Sequence, residues 1–419
     1  MVDHPRCPAM RSMLIAALMT NGGTWASFNT SEARSIWIRT GSADDLSCAA
    51  AGTWMDVENP DPKPLSMYKA RCDFLKKGAI QYGKQCCTET SGAHAKEFRP
   101  TCGANGVGQR VVGNGNTDRI GAIGSSTITG GGGHLWRLKD VLPLLKHKTI
   151  TFPGDSMSDQ LFMGLYFEFA AIDPEVHWVR GELARDLDKR SAIRQRSTLS
   201  NGTIPLRLFR TAEQLNVSVS HHSLHLRGMW KYGVDLGTLR NIMDAADITV
   251  LNYGLKWHRE HAPKLAEAYR TVVDMIARAN NQESDTATSA PPPPLQKKEE
   301  KKKTLGLIRE TLPQHFPTAE GNGDYEGLTM HSNTACAAIT PRDRGWRNEM
   351  LHAAARAHKG FKEEEWMLPQ WALFVGRPEV HALPVDCTHF CYSPRLFDAL
   401  LDPFYRAVHR RFHFQQGGS

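Results

Sequence analysis

Gly154-Asp155-Ser156 follows a β-branched run, Lys148-Thr149-Ile150-Thr151-Phe152-Pro153, and precedes Leu161, Phe162, Leu165 and Tyr166 at helical spacing. A serine just past the carboxyl end of a strand, where a helix begins, sits at the ligand crevice of an α/β sheet. Helix-end N–H groups there can stabilise a developing oxyanion. A serine hydroxyl is a poor nucleophile until a base takes its proton. Val385-Asp386-Cys387-Thr388-His389-Phe390-Cys391 offers that base. An Asp three residues before a His brings its carboxylate to ring Nδ1, fixes the tautomer and leaves Nε2 to take the serine proton. Ser156, Asp386 and His389 are therefore the candidate catalytic residues, and the chemistry is acyl transfer. Each piece alone has a plainer reading: a helix N-cap for Gly-Asp-Ser and an Asx turn for Asp386.

Asn252, in Ile248-Thr249-Val250-Leu251-Asn252-Tyr253-Gly254, ends a second apolar run. Its amide can donate to an oxyanion, or the residue simply makes a turn. Gly154, Asn252 and Gly254 are the candidate oxyanion or substrate positions, and Lys256, Trp257 and His258 are candidates to line an acceptor groove.

The elements that must position these residues alternate. Leu135 to Leu145 reads as a short helix interrupted at Pro143, followed by the strand at Lys148–Pro153 and the helix after Ser156. Leu239 to Ala245 reads as a helix, Ile248 to Leu251 as a strand, and Glu260 to Ala279 as a helix with Leu265, Tyr269, Val272 and Ile276 on one face. Leu305 to Arg309 and Trp371 to Val375 are strand-like, and Arg395 to Val408 reads as a closing helix kinked at Pro403. Strands alternating with helices predict an α/β fold, a mostly parallel sheet flanked by helices, over residues 136–415. Residues 280–304 hold four consecutive prolines and a Lys/Glu run, and are expected to form a disordered surface insertion. Residues 28–135 are expected to form an irregular, disulfide-rich N-terminal lobe, with six glycines between Gly121 and Gly133.

The chain has 419 residues, 41% hydrophobic and 23% charged, enough for a sizeable core. Its net charge is +7, but Lys297–Lys303 carries five lysines against two glutamates, so +4 remains elsewhere. That is too little to indicate a nucleic-acid partner. His4, Arg6 and Arg11 precede Met13-Leu14-Ile15-Ala16-Ala17-Leu18-Met19, and residues 1–27 read as a signal peptide or membrane anchor. Nine cysteines include Cys7 in that leader. The other eight, Cys48, Cys72, Cys86, Cys87, Cys102, Cys336, Cys387 and Cys391, are disulfide candidates. Sequons at Asn29, Asn201 and Asn216 are glycosylation candidates and fit the same oxidising secretory route, lumenal or extracellular. His221, His222, His225, His352 and His358 match no metal template and are expected at the surface, so no metal is predicted.

In this order, nucleophile, asparagine and Asp-X-X-His resemble the SGNH hydrolases. More specifically, the chain resembles the PC-esterase and trichome-birefringence-like family of plant and algal polysaccharide acyltransferases. The stretches that carry the resemblance are Thr151-Phe152-Pro153-Gly154-Asp155-Ser156-Met157-Ser158-Asp159-Gln160 and Asp386-Cys387-Thr388-His389-Phe390-Cys391, with the asparagine-bearing strand between them. Arg309-Glu310-Thr311-Leu312-Pro313-Gln314-His315-Phe316 is similar to the family's Arg-Thr-X-X-Pro-X-His-Phe segment, and Cys48 to Trp54 to its cysteine-plus-Gly-X-Trp opening. The resemblance implies an SGNH-like fold, a Ser156–His389–Asp386 triad, an acyl group carried on Ser156, and a polysaccharide or glycan hydroxyl as acceptor. It implies no bound cofactor; the acyl donor, acetyl-CoA or an acylated intermediate, is a substrate. It also implies a secretory or Golgi setting and a disulfide from Cys387 to one of Cys48–Cys102. One position departs from the family, which has an arginine three residues after the serine where this chain has Asp159. A carboxylate repels an oxyanion, so either Asp159 points away or another donor substitutes: the Ser156 N–H, Asn252 or a nearby arginine. A hydrolytic esterase using the same triad, and a glycan-binding protein with a relic triad, remain alternatives.

Overall fold

Thr149–Gly154 (β3) has five buried residues in succession, as a strand covered on both faces requires. It is the middle of a seven-stranded sheet in the computed structural model. The structure describes residues 135–178, 206–224, 236–281, 304–325, 335–339 and 345–413, a few single positions excepted. It also describes the backbone of short strands at 52–56, 96–100, 198–199 and 202–203. The leader, the five cysteines from Cys48 to Cys102, Asn29, Asn201, His225 and residues 282–303 lie outside the described residues.

Before β3 come Gly52–Asp56 (β1) and Lys96–Pro100 (β2), an antiparallel pair. After it come His177–Trp178 (β4), the small pair Thr198–Leu199 (β5) and Gly202–Thr203 (β6), Leu206–Arg210 (β7), Ser218–Ser223 (β8) and Ile248–Leu251 (β9). Leu305–Arg309 (β10), Met367–Leu368 (β11), His381–Leu383 (β12) and Asp386–Phe390 (β13) complete the strands. The large sheet runs β11-β10-β9-β3-β8-β7-β4. Strands β11, β10, β9, β3 and β8 are mutually parallel; β7 is antiparallel to β8, and β4 to β7. The fold is thus α/β with a mostly parallel mixed sheet. From β3 the chain goes first to β8 on one side and then crosses to β9 on the other. The carboxyl end of β3 is therefore a topological switch point, where such sheets bind ligands.

Helices cover both faces. Leu138–Leu145 (α1), Ser156–Ile172 (α2) and, later, Pro394–His413 (α8) bury their apolar residues with Ile150, Phe152, Val250 and Leu307 in one cluster. On the opposite face lie Leu236–Ala245 (α3), Ala262–Asn281 (α4) and Trp346–Ala357 (α5), packed with Leu251 and Ile308. Leu307 and Ile308 enter opposite clusters because successive strand side chains alternate. Helix α2 is buried nearly all round, which is why its apolar residues form no stripe. Two short helical turns, Glu363–Trp366 (α6) and Trp371–Phe374 (α7), lie between α5 and α8.

Four expectations need correction. Trp371 to Val375 is not a strand: Glu310 Oε2 accepts from Gln370 N and Trp371 N at 2.9 and 2.8 Å, so a carboxylate caps a helical turn there. The sheet is instead extended by β11. Helix α1 runs through Pro143 without the expected interruption, and α8, as expected of a single closing helix, contains Pro403. Each proline removes a single backbone bond, while the apolar faces on either side stay anchored in the core. Asn280, expected to open the surface insertion, instead lies buried in α4 and pairs both ways with Gly306, Nδ2 to O at 2.8 Å and Oδ1 from N at 2.9 Å. Finally, His221, His222 and His352 are buried rather than exposed.

Gly154 is held to glycine by its neighbours. A Cβ there would lie 2.1 Å from Asn252 O and 2.1 Å from Ser158 Oγ, because β3, β9 and the first turn of α2 meet at this point. Gly154→Ala is expected to lower stability by about 1–3 kcal/mol, the usual cost of overpacking. Equilibrium urea denaturation measures it, and an unchanged midpoint would contradict this packing.

Candidate active site

Asp155 begins the site. Its backbone is extended, and its carboxylate accepts from Met157 N at 2.9 Å as the N-cap of α2. The other carboxylate oxygen accepts from Leu255 N at 3.3 Å, tying the helix start to the segment after β9. Beneath it lies Arg309, 1% exposed, whose Nη2 donates to Ser158 Oγ at 3.2 Å and sits 3.9 Å from Asp155 Oδ1. Burial lowers the Arg309 pKa to about 10, against the pull of Asp155, so it remains a cation at neutral pH. Strand end, cap and buried guanidinium together present Ser156 as the first helical residue, 7% exposed.

His389 Nε2 lies 2.8 Å from Ser156 Oγ, although the two are 233 residues apart. On its other side, His389 Nδ1 is 2.9 Å from Asp386 Oδ2 and 3.1 Å from Oδ1. Asp386 Oδ1 also accepts from Thr388 N at 3.2 Å and His389 N at 3.1 Å. The Asx-type turn and the carboxylate–imidazole contact thus coexist in one residue. Burial pushes the Asp386 carboxyl up, but the His389 ring and the two backbone N–H groups outweigh it and hold the pKa at about 2. A carboxylate ionised at every ordinary pH keeps the proton on Nδ1 and the lone pair on Nε2, facing the serine.

What brings His389 to Ser156 is Gln160, one turn further along α2 and 1% exposed. Its Nε2 donates to Phe390 O at 2.7 Å, and its Oε1 accepts from Phe390 N at 3.1 Å. The side-chain amide thus occupies the place of a neighbouring strand beside the residue after His389. Behind the loop, His381 donates Nδ1–H to His389 O at 3.2 Å and meets His315 at 2.7 Å between ring nitrogens. Burial, then the neighbouring His315, push the His381 pKa down to about 3, so its ring is neutral.

Cys387, beside Asp386, is bonded to Cys336. This corrects the pairing with the N-terminal cysteines that the resemblance implies. The local reason is a ribbon in which His315 N donates to Cys387 O and Ala337 N to His315 O, both at 2.8 Å, so that the His315 segment holds the Cys336 segment near β13. Cys391 is also disulfide-bonded, to a residue outside those described.

The other candidates are placed differently. Asn252 Nδ2 donates to Arg309 O at 3.0 Å and Thr311 Oγ1 at 3.3 Å. Both amide hydrogens are thereby committed to joining β9 to the segment after β10, and none remains for an oxyanion. A Cβ at Gly254 would meet Thr311 Oγ1 at 2.2 Å and Tyr269 Oη at 2.5 Å, so this glycine, like Gly154, permits close packing. Trp257 is wholly buried in the second core cluster, with its carbonyl on Arg347, and is not a groove wall. Asn216 is exposed, has φ of 45°, and lies 3.2 Å from His147 Nδ1.

Asp159 lies one turn after Ser156 and is 2% exposed. Arg207 Nη1 donates to both its oxygens, at 2.9 and 2.7 Å, and His221 Nδ1 is 3.5 Å away. Burial raises the Asp159 pKa to about 6, against the opposing pull of Arg207 and His389. Sequence reading missed Gln160 and Arg207. The available signal for Gln160 was an amide side chain within a buried helix; none marked Arg207. Among the described residues, no three His, Cys, Asp or Glu side chains converge as a metal site needs. Nor is any helix among them long and apolar enough to cross a membrane.

The chain matches no family model and no curated protein.

Gln160→Met is expected to leave the Phe390 N–H and C=O buried without partners, at a cost of about 1–3 kcal/mol each. Fast hydrogen exchange at the Phe390 amide in that variant is the direct readout, and protection equal to wild type would contradict it. Asp386 makes a second prediction. Its folded pKa lies below the unfolded value of 3.8, so its contribution is intact above about pH 4 and is lost as pH falls through about 2. Exchange protection across β13 should follow that window, and Asp386→Asn should abolish the dependence.

Proposed function

We propose that this protein is a serine acyl-transfer enzyme that carries an acyl group on Ser156 and delivers it to a hydroxyl of a polysaccharide or glycan. The observation that carries this reading is the unbroken relay from Ser156 Oγ through His389 to Asp386, with contacts of 2.8 and 2.9 Å at a sheet's switch point. The finer fold assignment, an SGNH-like arrangement, belongs to the same proposal. It is supported by the chain order of nucleophile, Asn252 strand and Asp-X-X-His.

In the proposed reaction Ser156 Oγ attacks the acyl carbonyl while its proton passes to His389 Nε2. Asp386 stabilises the imidazolium. The tetrahedral adduct collapses as the donor's leaving group departs with that proton, leaving an ester on Ser156 and a neutral ring. An acceptor hydroxyl then loses its proton to His389 and attacks the ester. Collapse of the second adduct frees the acylated acceptor and returns the proton to Ser156. Water in place of the sugar makes the same protein an esterase.

A fluorophosphonate probe should label the full-length protein at Ser156, and Ser156→Ala should abolish labelling. With an activated acetyl ester as donor and an oligosaccharide as acceptor, Ser156→Ala should lower the rate on the order of 10⁴-fold or more. Labelling indifferent to Ser156→Ala would overturn the enzymatic reading. Hydrolysis that no sugar diverts would assign the esterase reaction instead.

A further inference from the structure

An acyl-transfer site needs donors aimed where negative charge appears on the acyl oxygen. Several nearby donors are already committed. Met157 N–H is on the Asp155 side chain, and the Ser158 and Asp159 N–H groups are on Asp155 O. Asn252 has no amide hydrogen left. Arg309 is fully buried beneath the cap, on Ser158 and Gln370. Among the described residues, the Ser156 N–H and the Arg207 guanidinium still have hydrogens to offer.

Arg207 reaches the crevice because of the sheet's mixed topology. Strand β8 is parallel to β3, and His222 and Ser223 lie beside Pro153 and Gly154 at the crevice edge. Strand β7 is antiparallel to β8, so its beginning lies at that same edge, with Arg207 paired to His221. Directly paired antiparallel residues share a face, and both side chains converge on Asp159 in the first turn of α2. Residues three apart on a helix have Cβ atoms roughly 5–6 Å apart, so the carboxylate that anchors the guanidinium belongs to a near neighbour of Ser156 on α2. His389 acts electrostatically on Asp159 from the same neighbourhood. Only Nη1 of Arg207 is engaged; Nε and Nη2 have no partner among the described residues, and 32% of the side chain is exposed.

We propose that Arg207 is a catalytic residue of this site, its free N–H groups binding the acyl oxygen as charge builds on it. The inference rests on the acyl-transfer reading above. Asp159 then acts as the tether, holding Arg207 at the crevice edge through the two contacts to Nη1 and leaving its other N–H groups for the acyl oxygen. The pair also accounts for an acidic residue so close to a developing anion: the bound arginine outlies the carboxylate and masks its charge.

The test uses full-length protein, with p-nitrophenyl acetate as acyl donor and release of nitrophenol as readout. Arg207→Met should lower kcat by about 10²–10³-fold with little change in KM, as loss of an oxyanion donor does. Arg207→Lys should recover part of that loss. The double variant Asp159→Asn/Arg207→Met removes the carboxylate that the single variant strands. It should remain as slow as Arg207→Met if the arginine touches the reacting oxygen. Recovery of the wild-type rate in the double variant would reduce Arg207 to a partner for a buried charge and overturn the inference. So would an Arg207→Met enzyme as fast as wild type. An inert wild-type protein would instead overturn the reading of the site itself.

Discussion

Between Ser156 and His389 lie 233 residues, and one buried amide sets the two segments in register. Gln160 gives Phe390 the two hydrogen bonds that a neighbouring strand would give, from within a helix that is buried along most of its length. In such surroundings an unmade hydrogen bond is costly, so the backbone beside His389 has one well-defined place to sit. The chemical relay inherits its precision from this contact. Ser156 is fixed by the strand end and the Asp155 cap, His389 by Phe390 and by the Asp386 turn, and both frames share α2. The same helix that presents Ser156 therefore also orients His389.

The electrostatics follow from that shared frame. Asp386 takes three N–H groups and stays ionised, while Asp159 is buried on an arginine and has a carboxyl shifted to about 6. The two carboxylates near His389 thus sit in contrasting environments, one organised by backbone and ring, the other by a single cation. Below the site Arg309 lies in a wholly buried position and bonds to Ser158 and Gln370, joining α2, β10 and the α7 turn. A cation there steadies the junction without reaching the surface.

Much of the central architecture was legible in the sequence because burial on both faces leaves a plain mark. The apolar runs at β3, β9 and β10 and the helical spacing of α4 are unmistakable, and the Gly-Asp-Ser junction follows from them. Ambiguity entered where an apolar run was too short for periodicity to decide, as at Trp371–Phe374, where a distant glutamate sets the backbone. It also entered where polar residues lie inside. Strand β8 reads Ser-Val-Ser-His-His-Ser, and nothing local announces that its histidines are buried. Asn252 was read correctly as ending a strand, but its partners, Arg309 O and Thr311, come from residues nearly sixty positions later. The Cys336–Cys387 bond was likewise beyond reach, since nine cysteines leave many pairings open and only the ribbon around His315 selects this one.

Beyond its polar first turn helix α2 is largely apolar, and the helix that covers it, α8, is made far later in the chain. Phe397 of α8 packs so tightly on Gly164 that a Cβ there would lie 2.1 Å from its ring. At ribosomal speeds of about 5–20 residues per second, roughly 10–50 s separate synthesis of the two segments. Throughout that interval the apolar residues of α2 lack the cover that Phe397 and its neighbours give them in the folded protein. It also means that a chain halted between α2 and β13 carries Ser156 without the imidazole that faces it in the folded protein.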